Sequence, residues 1–141
     1  MILLDTNVVS EPLKAQSDAN VLAWIDAQMI ETLYLSTITL AELRFGIAAL
    51  PDGKRRDTLH ASLEQRVLPL FAGRIVSFDE PASRTYAALR AQARASGQAI
   101  AAVDGYIAAI AATHGFAVAT RDTSPFRAAG LTVIDPWAWK A

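Results

Sequence analysis

The sequence contains no cysteine, only two histidines and no long apolar run, and each absence removes a class of function. Without cysteine there are no disulfides, thiolate metal sites or thiol nucleophiles, which fits a reducing, cytoplasmic setting. His60 and His114 are too few and too far apart for an imidazole-rich metal centre. The longest uninterrupted apolar run, Tyr106 to Ala112, is far shorter than the roughly 20 residues a membrane-spanning helix requires. Met1-Ile2-Leu3-Leu4 meets Asp5 at once and has no basic lead, so no secretory signal is expected. Excess positive charge is missing too: 13 basic and 14 acidic residues leave a net charge of −1. The usual electrostatic footprint of a nucleic-acid binder is therefore absent from the total.

The charge is unevenly distributed along the chain. From Arg44 to Arg94 there are nine basic and five acidic residues, and the remainder holds four basic and nine acidic ones. A length of 141 residues suits one compact domain spanning 1–141, with a single core and no need of covalent staples.

Short apolar runs alternate with longer helical patterns. The runs are Ile2 to Leu4, Leu33 to Leu35, Ile75 to Phe78, Phe116 to Ala119 and Leu131 to Ile134. Runs of this kind suit strands buried on both faces. Helices are predicted over 18–30, 39–50, 54–70, 80–97 and 101–114, with Gly97 and Gly115 as stops. The alternation implies an α/β fold: a central, mainly parallel sheet of four to five strands with helices on both faces. In such sheets ligands bind beyond the carboxyl ends of the strands.

Acidic residues gather at those ends. Asp5, Asp79 and Asp135 follow strands, Asp122 comes shortly after Thr120, and Glu42 and Asp104 lie near helix starts. Asp79 before Glu80-Pro81 fits a helix N-cap, and Asp135-Pro136 a turn. Two readings stand open for Glu42. Thr39-Leu-Ala-Glu42 matches a capping box, and the same carboxylate suits site chemistry. Asp5 is equally open between capping the Asp5-Thr6-Asn7 turn and chemistry. Asp104 has no such local role. Its helical neighbours Ile100, Ala101, Ile107 and Ala108 cannot pair with it, and no lysine or arginine occurs from 95 to 120. Unless it faces solvent, its desolvation needs a compensator from elsewhere in the fold. Asp5 shares the pattern, since the first basic residue is Lys14. Convergent carboxylates without local cations suit a hard divalent ion such as Mg2+ or Mn2+.

Four stretches in order, Ile2-Leu-Leu-Asp5-Thr-Asn7 with Ser10-Glu11, Ser36-Thr-Ile-Thr-Leu-Ala-Glu42-Leu-Arg-Phe-Gly46, Ile100-Ala-Ala-Val-Asp104-Gly-Tyr-Ile-Ala-Ala-Ile-Ala112 and Val118-Ala-Thr120-Arg-Asp122, resemble the PIN-domain nucleases. Within them the chain is most similar to the VapC-type toxins of bacterial toxin–antitoxin pairs, including the FitB-like branch. The resemblance implies a PIN-like α/β/α sandwich and Mg2+- or Mn2+-dependent hydrolysis of RNA, leaving 5′-phosphate and 3′-hydroxyl ends. It assigns Asp5, Glu42, Asp104 and Asp122 as catalytic and metal-binding, with Thr6, Asn7 and Thr120 supporting them. Pro125-Phe126 stands where relatives often carry a further Asp-Phe pair, so Asp122 supplies the fourth carboxylate alone.

The same resemblance implies a small DNA-binding antitoxin as inhibitor, operator DNA engaged only through that antitoxin, and a homodimer within a larger assembly. Arg84, Arg90 and Arg94, on one predicted helix, are candidate RNA-phosphate contacts or simply a solvated face. Two other readings remain: a haloacid-dehalogenase-like phosphatase, which normally has a second aspartate where Asn7 stands, and a PIN-like module that binds without catalysis.

Overall fold

The computed structural model describes residues 1–140; residue 141 lies outside them. Five parallel strands form the sheet: β1 (Ile2–Leu4), β2 (Leu33–Ser36), β3 (Ile75–Val76), β4 (Ala117–Ala119) and β5 (Val133–Ile134). They are ordered β3-β2-β1-β4-β5. Ile2 is in register with Leu33 on one side and Ala117 on the other, so β1 is the central strand. The order reverses direction at β1, which places a crevice beyond the carboxyl ends of β1 and β4.

Alternation along the strands splits the core in two. Leu4, Leu33, Leu35 and Ala119 face one side; Leu3 and Val118 face the other. The first side is covered by α1 (Thr6–Ser10), α2 (Ala19–Ala27), α3 (Thr37–Ala48) and the segment beginning with α4 (Lys54–Ser62), through Val8, Trp24, Leu40 and Leu63. The second is covered by α5 (Glu80–Ala95), α6 (Ala102–His114) and α7 (Thr123–Ala128), through Ala82, Ile107 and Phe126. Ala108, Ala109 and Ala111 in α6 are completely buried. Their small side chains let this helix lie close to the sheet, which is one use of the alanine-rich composition.

The predicted elements are present, with informative differences at their ends. The single helix expected over 54–70 is α4 followed by a π turn (Leu63–Val67) and a 3-10 turn (Leu68–Phe71). Pro69 accounts for the change, because it lacks an N–H and its ring collides with the carbonyl four residues back. The strand expected to reach Phe78 stops at Val76, and Phe78 instead packs edge-on against Tyr86 and Tyr106. α2 ends at Ala27, and a 3-10 turn, Ile30–Thr32, leads into β2. Two short helices, α1 and α7, were not anticipated.

The start of α3 departs from the capping-box expectation. Its N-cap is Ser36, whose Oγ accepts from Thr39 N at 3.1 Å. Thr39 is therefore already inside the helix, and Glu42 sits one turn further on, exposed, with no backbone group to cap. Ser36→Ala is expected to destabilise the fold by about 1–2 kcal/mol. Glu42→Gln is expected to change stability by less than about 0.5 kcal/mol. Denaturant unfolding of both variants checks this, and a larger cost for the Glu42 change would restore the capping-box reading.

Candidate acidic site at the strand ends

Asp5 is the residue around which the site is arranged. It ends β1, is only 5% exposed, and donates its backbone N–H to Ala119 O of the neighbouring strand at 2.9 Å. Both carboxylate oxygens have partners. Oδ1 accepts from Thr6 N at 2.8 Å, which makes Asp5 the N-cap of α1. Oδ2 accepts from Thr120 Oγ1 at 2.8 Å and, at the limit of a hydrogen bond, from Asn7 Nδ2 at 3.5 Å. The capping reading of Asp5 holds for one oxygen, while the other is bonded to Thr120 and Asn7.

Thr120 and Asn7 bind the first and last motifs together. The Thr120 hydroxyl gives its proton to Asp5 and accepts from Asp122 N at 3.0 Å and Asn7 Nδ2 at 3.4 Å. That uses one donor and two acceptor positions, the whole capacity of a hydroxyl. Asn7 Oδ1 accepts from Arg121 N at 3.2 Å. On the other flank, Thr6 Oγ1 donates to Glu42 Oε1 at 2.5 Å and lies 3.2 Å from Thr39 Oγ1. Thr39 is completely buried. Its part in holding Thr6 was missed from the sequence, where Thr39 had been given the capping role.

Asp104 falls in the first turn of α6, half-buried, and shares a cleft with Asp122, Gln98 and Ser124. Asp122 occupies the N-cap position of α7, but its side chain makes no capping bond, which leaves its carboxylate free. None of the ion pairs among the described residues involves Asp5, Glu42, Asp104 or Asp122. The electrostatics follow. Burial pushes the Asp5 carboxyl up to about 6 from the usual 3.8, against the pull of its bonds from Thr120 and Thr6, and Asp104 and Glu42 push the same way. Burial also raises Asp104, and the charges of Asp122 and Glu42 add to it. Asp5 and Asp104 thus feel each other and Glu42, Asp104 also feels Asp122, and no ion pair among the described residues offsets these charges.

An oxygen-only donor set of this kind fits a hard divalent ion. As the side chains stand, no three acidic or imidazole groups among the described residues converge closely enough to grip one. Glu42 is bonded to Thr6 on its own flank of the site.

The other candidates separate cleanly. Asp79 caps α5 through Ala82 N at 3.1 Å, and Asp135 accepts from Trp137 N at 2.9 Å. Glu11 is buried in the turn after α1, where one oxygen meets Lys14 at 3.2 Å. Arg84 pairs with Glu80 on the exposed face of α5. Arg90 is held against Tyr86 OH and Ile100 O. Arg94 and Arg90 line a second cleft together with Gln98 and Ala99, which also line the cleft of Asp104, so the two adjoin.

A five-stranded parallel α/β/α sandwich with a buried aspartate at the carboxyl end of its central strand and further acids near it fits a PIN-like protein. The sequence matches the PIN domain family over residues 2–131, and the chain belongs to that family. It is 66% identical over 137 residues to VapC ribonuclease Y4jK of Sinorhizobium fredii, covering 97% of this chain and 98% of that one. It is 56% identical to toxin FitB of Neisseria gonorrhoeae, covering 97% and 99% respectively. A solved structure of FitAB bound to an IR36 DNA fragment superposes with a TM-score of 0.96 at 53% identity, covering 100% of this chain and 99% of that one. The family assignment replaces the phosphatase alternative, and Asn7 is committed to Thr120 and Arg121 rather than standing in for a second acid. No helix among the described residues is long and apolar enough to cross a membrane.

The raised Asp5 carboxyl has a consequence for stability. The folded state holds a proton that the unfolded chain has already released between pH 3.8 and about 6. Stability contributed by this proton is complete below the lower value and falls as pH rises through the upper one. The ionised form costs about 3 kcal/mol above pH 6. Asp5→Asn removes the charge, so in chelator-treated protein at pH 7.5 it is expected to melt higher than the parent, with a flatter pH dependence between 4 and 6. A lower melting temperature at pH 7.5 would show that the charge is compensated within the fold.

Proposed function

We propose that this chain is a Mg2+- or Mn2+-dependent endoribonuclease, the toxin of a type II toxin–antitoxin pair, folded as one domain and active in the cytoplasm. The observation that carries the reading is the buried Asp5 at the end of the central strand, close enough to Asp104 and Glu42 to feel their charge, with Asp122 beside Asp104 and none of the four in an ion pair among the described residues. The names of its relatives, a VapC ribonuclease and toxin FitB, support the same reading.

Asp5 and Asp104 would hold the ion, with Glu42 and Asp122 completing the set directly or through water. When bound, the ion supplies positive charge that polarises a phosphate oxygen and lowers the pKa of water. The chain's own groups do the orienting. Thr120 fixes the direction of Asp5 Oδ2, and its hydroxyl also accepts from Asp122 N, while Asn7 ties Thr120 to the Arg121 backbone, so Asp5 and Asp122 are linked through one hydroxyl. Thr6 and Thr39 hold Glu42 on the opposite flank. The RNA strand crosses the acidic cleft and leaves along Gln98 toward Arg94, the one of the three candidate arginines that keeps its guanidinium for a phosphate. Control comes from a small DNA-binding antitoxin that covers the acids and carries the complex to operator DNA, with the toxin as a homodimer. The FitAB relative, solved bound to a DNA fragment, supports the link to DNA.

The purified chain is expected to cut RNA with Mg2+ or Mn2+, to stop on chelation, and to stop when its antitoxin is added. Asp104→Asn is expected to lower cleavage at least about a hundredfold, the worth of a few kcal/mol of charge stabilisation, with the fold intact by circular dichroism. Full activity in that variant overturns the assignment. Antitoxin binding without any cleavage would identify a passive module.

Arg94→Glu, in an Asp104→Asn background that binds but does not cut, is expected to weaken RNA binding and to lower the log–log salt slope by about 1. An unchanged slope removes Arg94 from the RNA path.

A further inference from the structure

Helices α5 and α6 meet closely at Gly105, the residue directly after Asp104. A Cβ built there would stand 2.9 Å from Tyr86 Cε2 and 3.1 Å from Arg90 Cδ. Gly105 is buried within α6 and has ordinary helical backbone, so glycine is required by space rather than by conformation. Glycine inside a helix is unfavourable relative to alanine, and something must offset it.

What fills the space is an organised contact. Tyr86 and Arg90 are one turn apart on α5. Arg90 Nη1 donates to Tyr86 OH at 2.7 Å, and its guanidinium carbon lies 5.3 Å from the Tyr86 ring centre. Arg90 Nε donates to Ile100 O at 3.1 Å. Tyr106 stacks on Tyr86 with ring centres 4.8 Å apart. The N-cap residue of α6 is Ala101, which offers no capping side chain. The start of the helix that carries Asp104 is therefore fastened from outside, by α5.

We infer that Gly105 and Arg90 are positioning residues for Asp104. Gly105 admits the Tyr86–Arg90 pair against α6, and Arg90 ties the backbone at Ile100, so the first turn of α6 holds its carboxylate toward Asp122 and Glu42. This inference rests on the reading of Asp104 as part of a metal-dependent site. It also takes Arg90 away from the RNA phosphates, since two of its donors are spent inside the protein.

The test compares the parent with Gly105→Ala, Arg90→Gln and Arg90→Lys. It measures Mn2+ affinity by titration, amide exchange over 105–107, and thermal unfolding. Gly105→Ala and Arg90→Gln are expected to stay folded, to exchange faster over 105–107, where the first hydrogen-bonded amides of α6 lie, and to lose about tenfold in Mn2+ affinity. Arg90→Lys is expected to recover little, because an ammonium cannot hold both partners of a planar fork. Folded variants with parental Mn2+ affinity overturn the inference. So does an Arg90→Gln protein that keeps its Mn2+ affinity but loses RNA binding and salt slope, which would make Arg90 a phosphate contact. A parent chain that binds no Mn2+ defeats the nuclease reading instead, and amide exchange alone then decides, unchanged protection counting against the inference. Should Gly105→Ala fail to fold, Arg90→Gln carries the same readouts.

Discussion

A carboxylate held almost out of water at the end of the central strand is the constraint on which the crevice depends. Asp5 keeps four contacts at once: its N–H to Ala119, Oδ1 to the start of α1, and Oδ2 to Thr120 and Asn7. Two of these contacts fall on Thr6 and Asn7 in α1 and two on Ala119 and Thr120 at the end of β4, so the burial of Asp5 registers β1, α1 and the end of β4 against one another. The hydrogen bonds do not cancel the desolvation, and the Asp5 carboxyl remains displaced to about 6. Stability given up there is recovered in the two layers of core on either side of the sheet, where Leu3, Val8, Ile107 and Phe126 are fully buried. Strain of this kind, concentrated at strand ends and supported elsewhere, is common where a fold keeps groups ready for chemistry.

The acids reach the crevice by different mechanical routes. Asp5 is set by strand pairing, which leaves little freedom. Asp122 follows Thr120 by two residues and inherits its place from that hydroxyl. Glu42 hangs from a helix whose start is fixed by Ser36 at the end of β2, and its side chain is steered by Thr6. Asp104 has the longest mechanical path, through α6, the Arg90 tie and the α5 surface. A perturbation of the α5–α6 contact is therefore transmitted to one acid alone, whereas a perturbation of β1 is transmitted to Asp5, Thr6 and Asn7 together.

Much of this was readable from the residues because the relevant signals are local. Continuous β-rich runs ending in aspartate marked the strand ends, and Asp79-Glu80-Pro81 and Gly115 marked helix ends that lie within one or two residues of their predicted places. The isolation of Asp104 from any basic neighbour was visible as sequence spacing alone. What stayed hidden depends on tertiary choices. Both Ser36 with Thr39 and Thr39 with Glu42 satisfy a capping pattern, and only the length of β2 selects the first. α1 and α7 have five and six residues, too short for any helical period to emerge. The role of Arg90 depends on where a long side chain lies on a neighbouring helix, which its spacing from Arg84 and Arg94 does not encode.

The charge split along the chain takes on a physical meaning once these partners are known. The basic excess between Arg44 and Arg94 is not a uniform positive face. Arg44 is paired with Glu64, Arg56 with Asp52 and Arg84 with Glu80. Arg74 and Arg90 spend donors on backbone carbonyls. Such exposed pairs add little stability, but they do consume charge that would otherwise attract any anion indiscriminately. Arg94 is in no ion pair among the described residues, and its cleft adjoins the cleft of Asp104 and Asp122 through Gln98 and Ala99. A polyanion approaching this surface meets an available cation directly beside the acids that repel it. In the proposed nuclease, attraction that is local rather than spread over the molecule would let a chain with net charge −1 select where on its surface a phosphate backbone settles.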